Sequence, residues 1–540
     1  MLKDRDHAGM HMCYTLCVHP SRKCNLKCKY CFAHSEKNLS DYLPSGEISF
    51  EVIKDAIDFL TKKMGPEANK YCIDIAGSGE PLLNIELIQK LSEYCLDKSN
   101  ELSKDIYIMF PTNATMLNEK TVKTLESMPN VLLGVSLDGN RRHSSNRIFA
   151  NGDESFDRAI KGTKLLTKPF GIAVTITKTN EDVDEVYDYL YNSFPKCDAI
   201  SMQQVRGMDD DNPMSFTNID IDNMLYHYDL LVKKMYRCAE MKEYDYIFKL
   251  LRGSDFFGRY IRNILHPNML YKYRCDAARS RISVDDKGDI YSCSVMNGNI
   301  DFKIGNIYSG ISECARKKFL DAQVDSVETC SKCDEKYICG GECLAKAYLK
   351  SNKVDEPVEE LCNLRKELIA KARSFVESIK INLPEAYYEF QKFTIDPTLL
   401  DTSAWAIKKI LREFGKEISF RELYSKMEYD RMGASLSILE RKINEYGIEL
   451  LARQLEDEQE LNEIIVPAIA WQNRFTKAYR YIVIKKICDN NVVLEDASME
   501  NEFVMSTKDF FAKVSNVIFE VREKVEGVNE LEWRDKCKET

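Results

Sequence analysis

Three cysteines stand close together near the start of the chain, in the run Arg22-Lys23-Cys24-Asn25-Leu26-Lys27-Cys28-Lys29-Tyr30-Cys31-Phe32. The spacing C-x-x-x-C-x-x-C offers three thiolates, where a four-iron, four-sulfur cluster usually takes four. One iron is then open to a ligand that is not protein, which keeps the cluster reactive instead of a passive electron wire. Zinc is the other chemistry such thiolates support, and His34 is the nearby residue that could complete a zinc site. A second, denser set follows later: Cys275, twelve residues to Gly288, four more to Cys293, then Cys330, Cys333, Cys339-Gly340-Gly341-Glu342-Cys343 and Cys362. A zinc ribbon from Cys330, Cys333, Cys339 and Cys343 would satisfy one ion but strand Cys275, Cys293 and Cys362.

These loops need a scaffold. At 540 residues the chain is too long for one core, and several domains are expected. Short apolar strands alternate with amphipathic helices over the first two hundred residues or so: a strand ending at Val18, a helix from Ser49 to Met64, then strands at Tyr71 to Ala76, Ile106 to Phe110, Val131 to Leu137, Ile172 to Ile176 and Ala199 to Gln203. Helices from Ile85 to Leu96, Glu119 to Ser127, Ser155 to Leu166 and Val183 to Tyr191 separate them. Such alternation implies a parallel sheet with right-handed crossovers. The fold class is therefore α/β, and functional loops should gather at the C-terminal strand ends.

A net charge of -10 argues against nonspecific nucleic-acid binding, which needs a basic surface. The sequence has no apolar run long enough to cross a bilayer and no N-terminal signal peptide. Nineteen cysteines in a large, leaderless chain suggest metal more than disulfides, so a cytoplasmic protein with no membrane partner is expected.

The Cys24, Cys28, Cys31 run resembles that of the radical S-adenosylmethionine (radical SAM) superfamily. The resemblance implies a partial (β/α)6 barrel whose cluster chelates SAM through its amino and carboxylate groups and cleaves it reductively to a 5′-deoxyadenosyl radical. Tyr30 would lie near the adenine. Gly77-Ser78-Gly79-Glu80-Pro81 is similar to the family's G-G-E-P motif, with Ser78 in place of one glycine. There a backbone edge at Gly79 and the Glu80 carboxylate would receive the SAM ammonium; the plain alternative is a tight strand-to-helix bend. Val135-Ser136-Leu137-Asp138-Gly139 resembles the fourth-strand motif, which implies that Ser136 contacts the SAM ribose or carboxylate. Arg147 matches an arginine that would pair with the carboxylate, although Ser144 stands where relatives often have Asp.

The later cysteines resemble the SPASM extension of peptide-modifying radical SAM enzymes. That resemblance implies two auxiliary [4Fe-4S] clusters, one on Cys275, Cys293 and Cys343 and one on Cys330, Cys333, Cys339 and Cys362. Three clusters in all are expected, with a flavodoxin or ferredoxin-type protein as reductant.

Beyond Asn382-Leu383-Pro384 a separate α-then-β pattern resembles the papain-like peptidases that remove double-glycine leaders. The family's Asp-Cys pair falls on Asp401-Thr402, its His on Arg480 and its later Asp on Asp496. An arginine stays protonated and cannot take a proton from a nucleophile, and no histidine follows His266. A catalytically inactive, leader-binding domain is expected. The implied organisation is a core barrel over 1–215, a helical connector over 216–265, a SPASM domain over 266–380 and the peptidase-like α+β domain over 381–540.

The function these features imply is maturation of a ribosomally made precursor peptide, by oxidative crosslinking of core residues through a thioether or another intrapeptide bond. Oxidation of Cys or Ser to formylglycine, as in anaerobic sulfatase maturation, is the enzymatic alternative. An iron-sulfur electron-transfer or peptide-binding module without SAM chemistry is the non-enzymatic one.

Overall fold

The computed structural model describes residues 13–33, 46–66, 68, 70–75, 77, 79–102, 104–208, 212–253, 255–266, 271–394, 402–418, 423, 427, 434–472, 481–488, 490–497 and 502–524. The chain divides into two compact units, the first running from Cys13 through Thr394 apart from 267–270, the second holding the residues after it.

The first unit is built on one ten-stranded sheet. Its parallel half has six strands in sequence order: β1 (Cys13–Val18), β2 (Lys70–Asp74), β3 (Asp105–Thr112), β4 (Val131–Ser136), β5 (Phe170–Ile176) and β6 (Cys197–Gln204). Helices α1 (Phe50–Phe59), α2 (Ile85–Leu102), α3 (Glu119–Ser127), α4 (Phe156–Lys164) and α5 (Val183–Ser193) connect them. This is the partial (β/α)6 arrangement the sequence predicts. Its strands are apolar because crossover helices bury them: Tyr14, Leu16, Tyr71, Ile73, Ile108 and Phe110 are all enclosed. Helix α1 starts where Ser49 accepts the Val52 N–H, and it turns Ile53, Ala56 and Ile57 to the core.

The sheet does not stop at β1. Strand β7 (Arg281–Val284) pairs parallel to it, with Thr15 opposite Arg281, and β8 (Asp289–Tyr291), β9 (Lys303–Asn306) and β10 (Gly310–Ile311) follow antiparallel. Arg281 clamps the junction, its Nη1 lying 3.0 Å from both Cys17 Sγ and Asp74 Oδ2. The segment bearing the later cysteines thus continues the barrel's own sheet. The unit also holds helices α6 (Ile221–Glu240), α7 (Asp245–Arg252), α8 (Phe256–Leu265), α9 (Glu359–Asn382) and α10 (Pro384–Thr394), with shorter helices among the later cysteines.

The second unit is α+β. Helices α11 (Thr402–Glu413) and α12 (Leu436–Asn444) precede an antiparallel sheet of β11 (Ile448–Gln454), β12 (Ala468–Trp471), β13 (Tyr481–Cys488), β14 (Asn491–Glu495), β15 (Phe503–Ser506) and β16 (Val517–Glu523). The strand order is β11-β16-β12-β13-β14-β15. Its own core includes Leu461, Ala468, Ile482, Ile484, Leu494 and Phe510. Asp401, Arg480, Ser78 and His34 lie outside the described residues.

Candidate active site and cysteine clusters

The Cys24–Cys31 loop leaves the C-terminal end of β1 and is pinned from two sides. The backbone N–H groups of Lys27 and Lys29 donate to Ile148 O at 2.7 Å and Asn146 O at 3.0 Å. Asn113 Nδ2 donates to Asn25 Oδ1 at 2.8 Å, and Asn25 Nδ2 to Thr115 Oγ1 at 2.7 Å. The Leu26 N–H donates to Cys24 Sγ at 3.4 Å. The thiols are close enough for Cys31 to raise the pKa of Cys24, and for Cys31 and Cys24 to raise that of Cys28. Burial, the larger effect, pushes Cys28 up to about 12 and also raises Cys24.

The turn after β2 packs against that loop. The Glu80 N–H donates to Lys23 O at 2.8 Å. Gly79 has φ +79°, and a Cβ there would meet Ser21 O at 2.2 Å, so only glycine fits. The Glu80 carboxylate is buried and accepts from Thr112 Oγ1 at 2.6 Å, Asn113 N at 2.8 Å and Leu82 N at 3.1 Å. Burial raises its pKa while these donors pull it down. With about four acceptor positions on a carboxylate, one remains for another donor.

Arg147 Nη1 donates to the Tyr30 hydroxyl at 2.6 Å, and that hydroxyl donates to Asp138 Oδ2. Asp138 Oδ1 accepts the Thr175 N–H at 3.0 Å, and Arg147 lies 3.8 Å from Asp138. All three side chains are buried. Arg147 is therefore held in the wall beneath the loop by protein partners. Asp138 is the residue sequence reasoning missed, although it stands inside the quoted fourth-strand motif. Ser136 ends β4 half-buried, and its hydroxyl has no hydrogen bond among the described residues.

The later cysteines fall into two groups. Cys275 precedes β7, Cys293 follows β8 and Cys343 caps the helix Leu344–Ser351. Cys275 and Cys293 are both raised by burial and then by Cys343, their strongest charged neighbour. Cys330 is pushed up to about 12 by burial and then by Cys339, Cys362 and Cys333. Cys362, on α9, feels Cys339 and Cys333 in turn. Gly340 at φ +75° turns the chain between the two groups, which sends Cys339 one way and Cys343 the other. Among the described residues, only His143, Asp182 and Glu185 bring three ligand atoms within 4.8 Å of one another. Arg142 donates to Asp182 there, so that trio is a charge-paired network. Among the described residues no three cysteine sulfurs come within 4.8 Å of one another, whereas the thiolates of one tetrahedral zinc sit about 3.8 Å apart for bonds of about 2.3 Å.

In the second unit, Thr402 is fully buried at the start of α11, and its Oγ1 accepts the Tyr481 N–H of β13 at 2.6 Å. Asp496 is buried just after β14.

Residues 18–190 match the family model of the Radical SAM superfamily. The first unit therefore carries a radical SAM domain, and the chain has homologues that are enzymes. Residues 398–526 match the Peptidase C39 family. The cysteine-type anaerobic sulfatase-maturating enzyme of Clostridium perfringens is 27% identical over 339 residues, 60% of this chain and 86% of that one. The radical SAM cyclopropyl synthase TigE of Paramaledivibacter caminithermalis is 22% identical over 65% of this chain and 72% of its own. The solved structure of native anSMEcpe with bound AdoMet superposes with a TM-score of 0.55 at 20% identity, covering 68% of this chain and all of that one. That likeness speaks to the fold. A radical SAM domain implies a [4Fe-4S] cluster and SAM, and the half-buried Cys24, Cys28 and Cys31 thiols fit the first as a donor set. No helix among the described residues is long and apolar enough to cross a membrane.

Proposed function

We propose that this protein matures a ribosomally made precursor peptide by SAM-dependent oxidative crosslinking of core residues. The observation that carries the reading is the pairing, in one chain, of a radical SAM domain with a C39-type region whose nucleophile position holds a committed threonine. Thr402 is buried and no histidine after His266 can serve as its base, which leaves the peptidase-like fold to bind and not to cut. A leader gripped there raises the local concentration of core peptide at the barrel.

In this reading Cys24, Cys28 and Cys31 hold the SAM cluster, and two auxiliary [4Fe-4S] clusters occupy the Cys275/Cys293/Cys343 and Cys330/Cys333/Cys339/Cys362 sets. Cluster and SAM together supply a carbon radical able to take hydrogen from an unactivated carbon. The chain's residues do the positioning. The Gly79–Glu80 edge lies against the cysteine loop and offers the remaining carboxylate position to an ammonium. Ser136 offers a free hydroxyl at the β4 end, while Arg147 and Asp138 hold Tyr30 in place. A flavodoxin or ferredoxin-type reductant in the cytoplasm supplies the electron. The anSMEcpe fold has also been solved with AdoMet and a Cp18Cys peptide, which supports a peptide as the class of substrate.

The test is titration of double-glycine leader peptides onto the full-length protein by calorimetry. Saturable binding of the leader, with no cleavage, is the expected result; absence of binding contradicts the reading. Formylglycine formation is the second reading, favoured by the 27% identity to the sulfatase-maturating enzyme. It predicts modification of a Cys- or Ser-bearing peptide that carries no leader.

A further inference from the structure

Crossover helices cover one face of the parallel strands, and the other face keeps an open lining. On β3, Ile108 and Phe110 are enclosed while Tyr107, Met109 and Pro111 keep part of their surface. On β5, Ala173 is exposed between buried Ile172 and Val174. On β6, Ser201 and Gln203 are half-buried beside enclosed Ile200 and Met202. Strand pairing aligns these residues into one inner surface. Cys17 lies opposite Asp74, Asp74 opposite Met109, Ser136 opposite Ala173, and Ala173 opposite Ser201.

Arg281 reaches onto this surface from β7. Its Nη1 donates to Cys17 Sγ and to Asp74 Oδ2, both at 3.0 Å. A guanidinium has five N–H donors in a fixed fork, and those on Nε and Nη2 have no partner among the described residues. The Arg281 side chain keeps 22% of its surface exposed, against 7% for Asp74, so that edge of the fork is open. Its charge is already answered by Asp74. A carboxylate brought to the open edge would carry an uncompensated negative charge into a sheltered site, which is costly. A neutral carbonyl oxygen meets no such cost and gains a hydrogen bond from a charged donor.

We infer that the Nε and Nη2 edge of Arg281 receives a main-chain carbonyl of the peptide that enters the barrel. The segment bearing the later cysteines thereby supplies a substrate contact inside the barrel, through a strand that pairs directly with β1. Cys17 and Asp74 hold the fork in place, and the fork holds the peptide backbone. Because every residue carries that carbonyl, the contact positions the core peptide whatever its side chains are. This rests on the peptide-maturation reading proposed above.

The test uses the full-length protein, reconstituted anaerobically with iron and sulfide, and the leader-bearing precursor peptide encoded beside it. Conversion is followed by mass spectrometry as the peptide concentration varies. Arg281→Lys keeps a cation for Asp74 and removes the open edge of the fork. Its kcat/KM for the peptide should fall about tenfold or more, the range expected for a lost hydrogen bond to a charged group. The fall should be the same for a precursor whose core Asp and Glu residues are replaced by Asn and Gln. A native kcat/KM in the Arg281→Lys protein overturns the proposal. So does a fall confined to the acidic precursor, which marks a carboxylate ligand. A matching loss of SAM affinity, measured by calorimetry without peptide, marks a general disturbance of the barrel and also overturns it. If Arg281→Lys loses iron, the double variant Arg281→Gln, Asp74→Asn removes both charges together and carries the same test. The underlying reading fails separately: a native protein that cleaves SAM but leaves the precursor unbound and unmodified refutes it, and this proposal falls with it.

Discussion

Arg147 Nη1 reaches the Tyr30 hydroxyl at 2.6 Å, tying the cysteine loop to the segment after β4. The bond makes Tyr30 a member of a buried charge network with Asp138, in addition to its place between two cysteines. Arg147→Met should leave Asp138 buried and unpaired, at a cost of about 3–5 kcal/mol. Tyr30→Phe removes one hydroxyl from the network and should cost less, about 1–3 kcal/mol. Urea unfolding of the two variants beside the native protein measures both, and equal losses would contradict the network.

Gly79 carries the contact between the β2 turn and the cysteine loop. A Cβ at that position would overlap Ser21 O at 2.2 Å and Lys23 O at 2.6 Å, and both are backbone atoms that cannot yield cheaply. Gly79→Ala should therefore displace the loop and lower iron bound at Cys24, Cys28 and Cys31. Iron at the later cysteines should stay unchanged. Iron analysis combined with resonance spectra separates the two populations.

Thr402 is committed to the Tyr481 N–H, so Thr402→Val should strand a buried donor and destabilise the second unit by about 1–3 kcal/mol. Thr402→Cys restores a thiol but no base, because the chain has no histidine after His266. Incubation of that variant with a double-glycine leader peptide should yield no cleavage product by chromatography.

His266 is neutral in the fold, and its pKa is lowered from 6.5 to about 4 by burial and then by Arg262. Its Nε2 lies 2.7 Å from Thr394 Oγ1. The unfolded chain takes up this proton first, so stability should fall as pH drops from about 6.5 to about 4. His266→Gln should flatten that part of the stability–pH curve. A curve of unchanged slope would show that His266 does not govern it.

Much of the barrel is legible in the sequence because its signals are local. The expected strand from Ile106 to Phe110 lies inside β3, and Val183 opens α5 as the pattern predicts. Helix α2 runs on from the expected Leu96 to Leu102 because Lys98 buries its stem and pairs with Asp58 and Glu101. That tertiary contact has no sequence periodicity. Strand β7 is four residues long, and it is held in register by Arg281 reaching Asp74 and Cys17, far back in the chain. Strands β11 and β16 pair across a long separation, Ile448 with Glu523, and went unread although Ile518, Phe519 and Val521 carry an apolar pattern. At the site, the glycine and glutamate of the β2 turn were visible. Asp138 was not, because its partner Tyr30 is distant in sequence and only the folded sheet brings them together.

The most direct test of the central claim is mass spectrometry of a short, leader-bearing peptide encoded beside this protein, after anaerobic co-expression of the two. The account predicts loss of a pair of hydrogens per modification, absent with a Cys28→Ala variant, and fragment ions that place a new bond between core residues. A peptide of unchanged mass, from cells in which the reduced enzyme cleaves SAM, would contradict it.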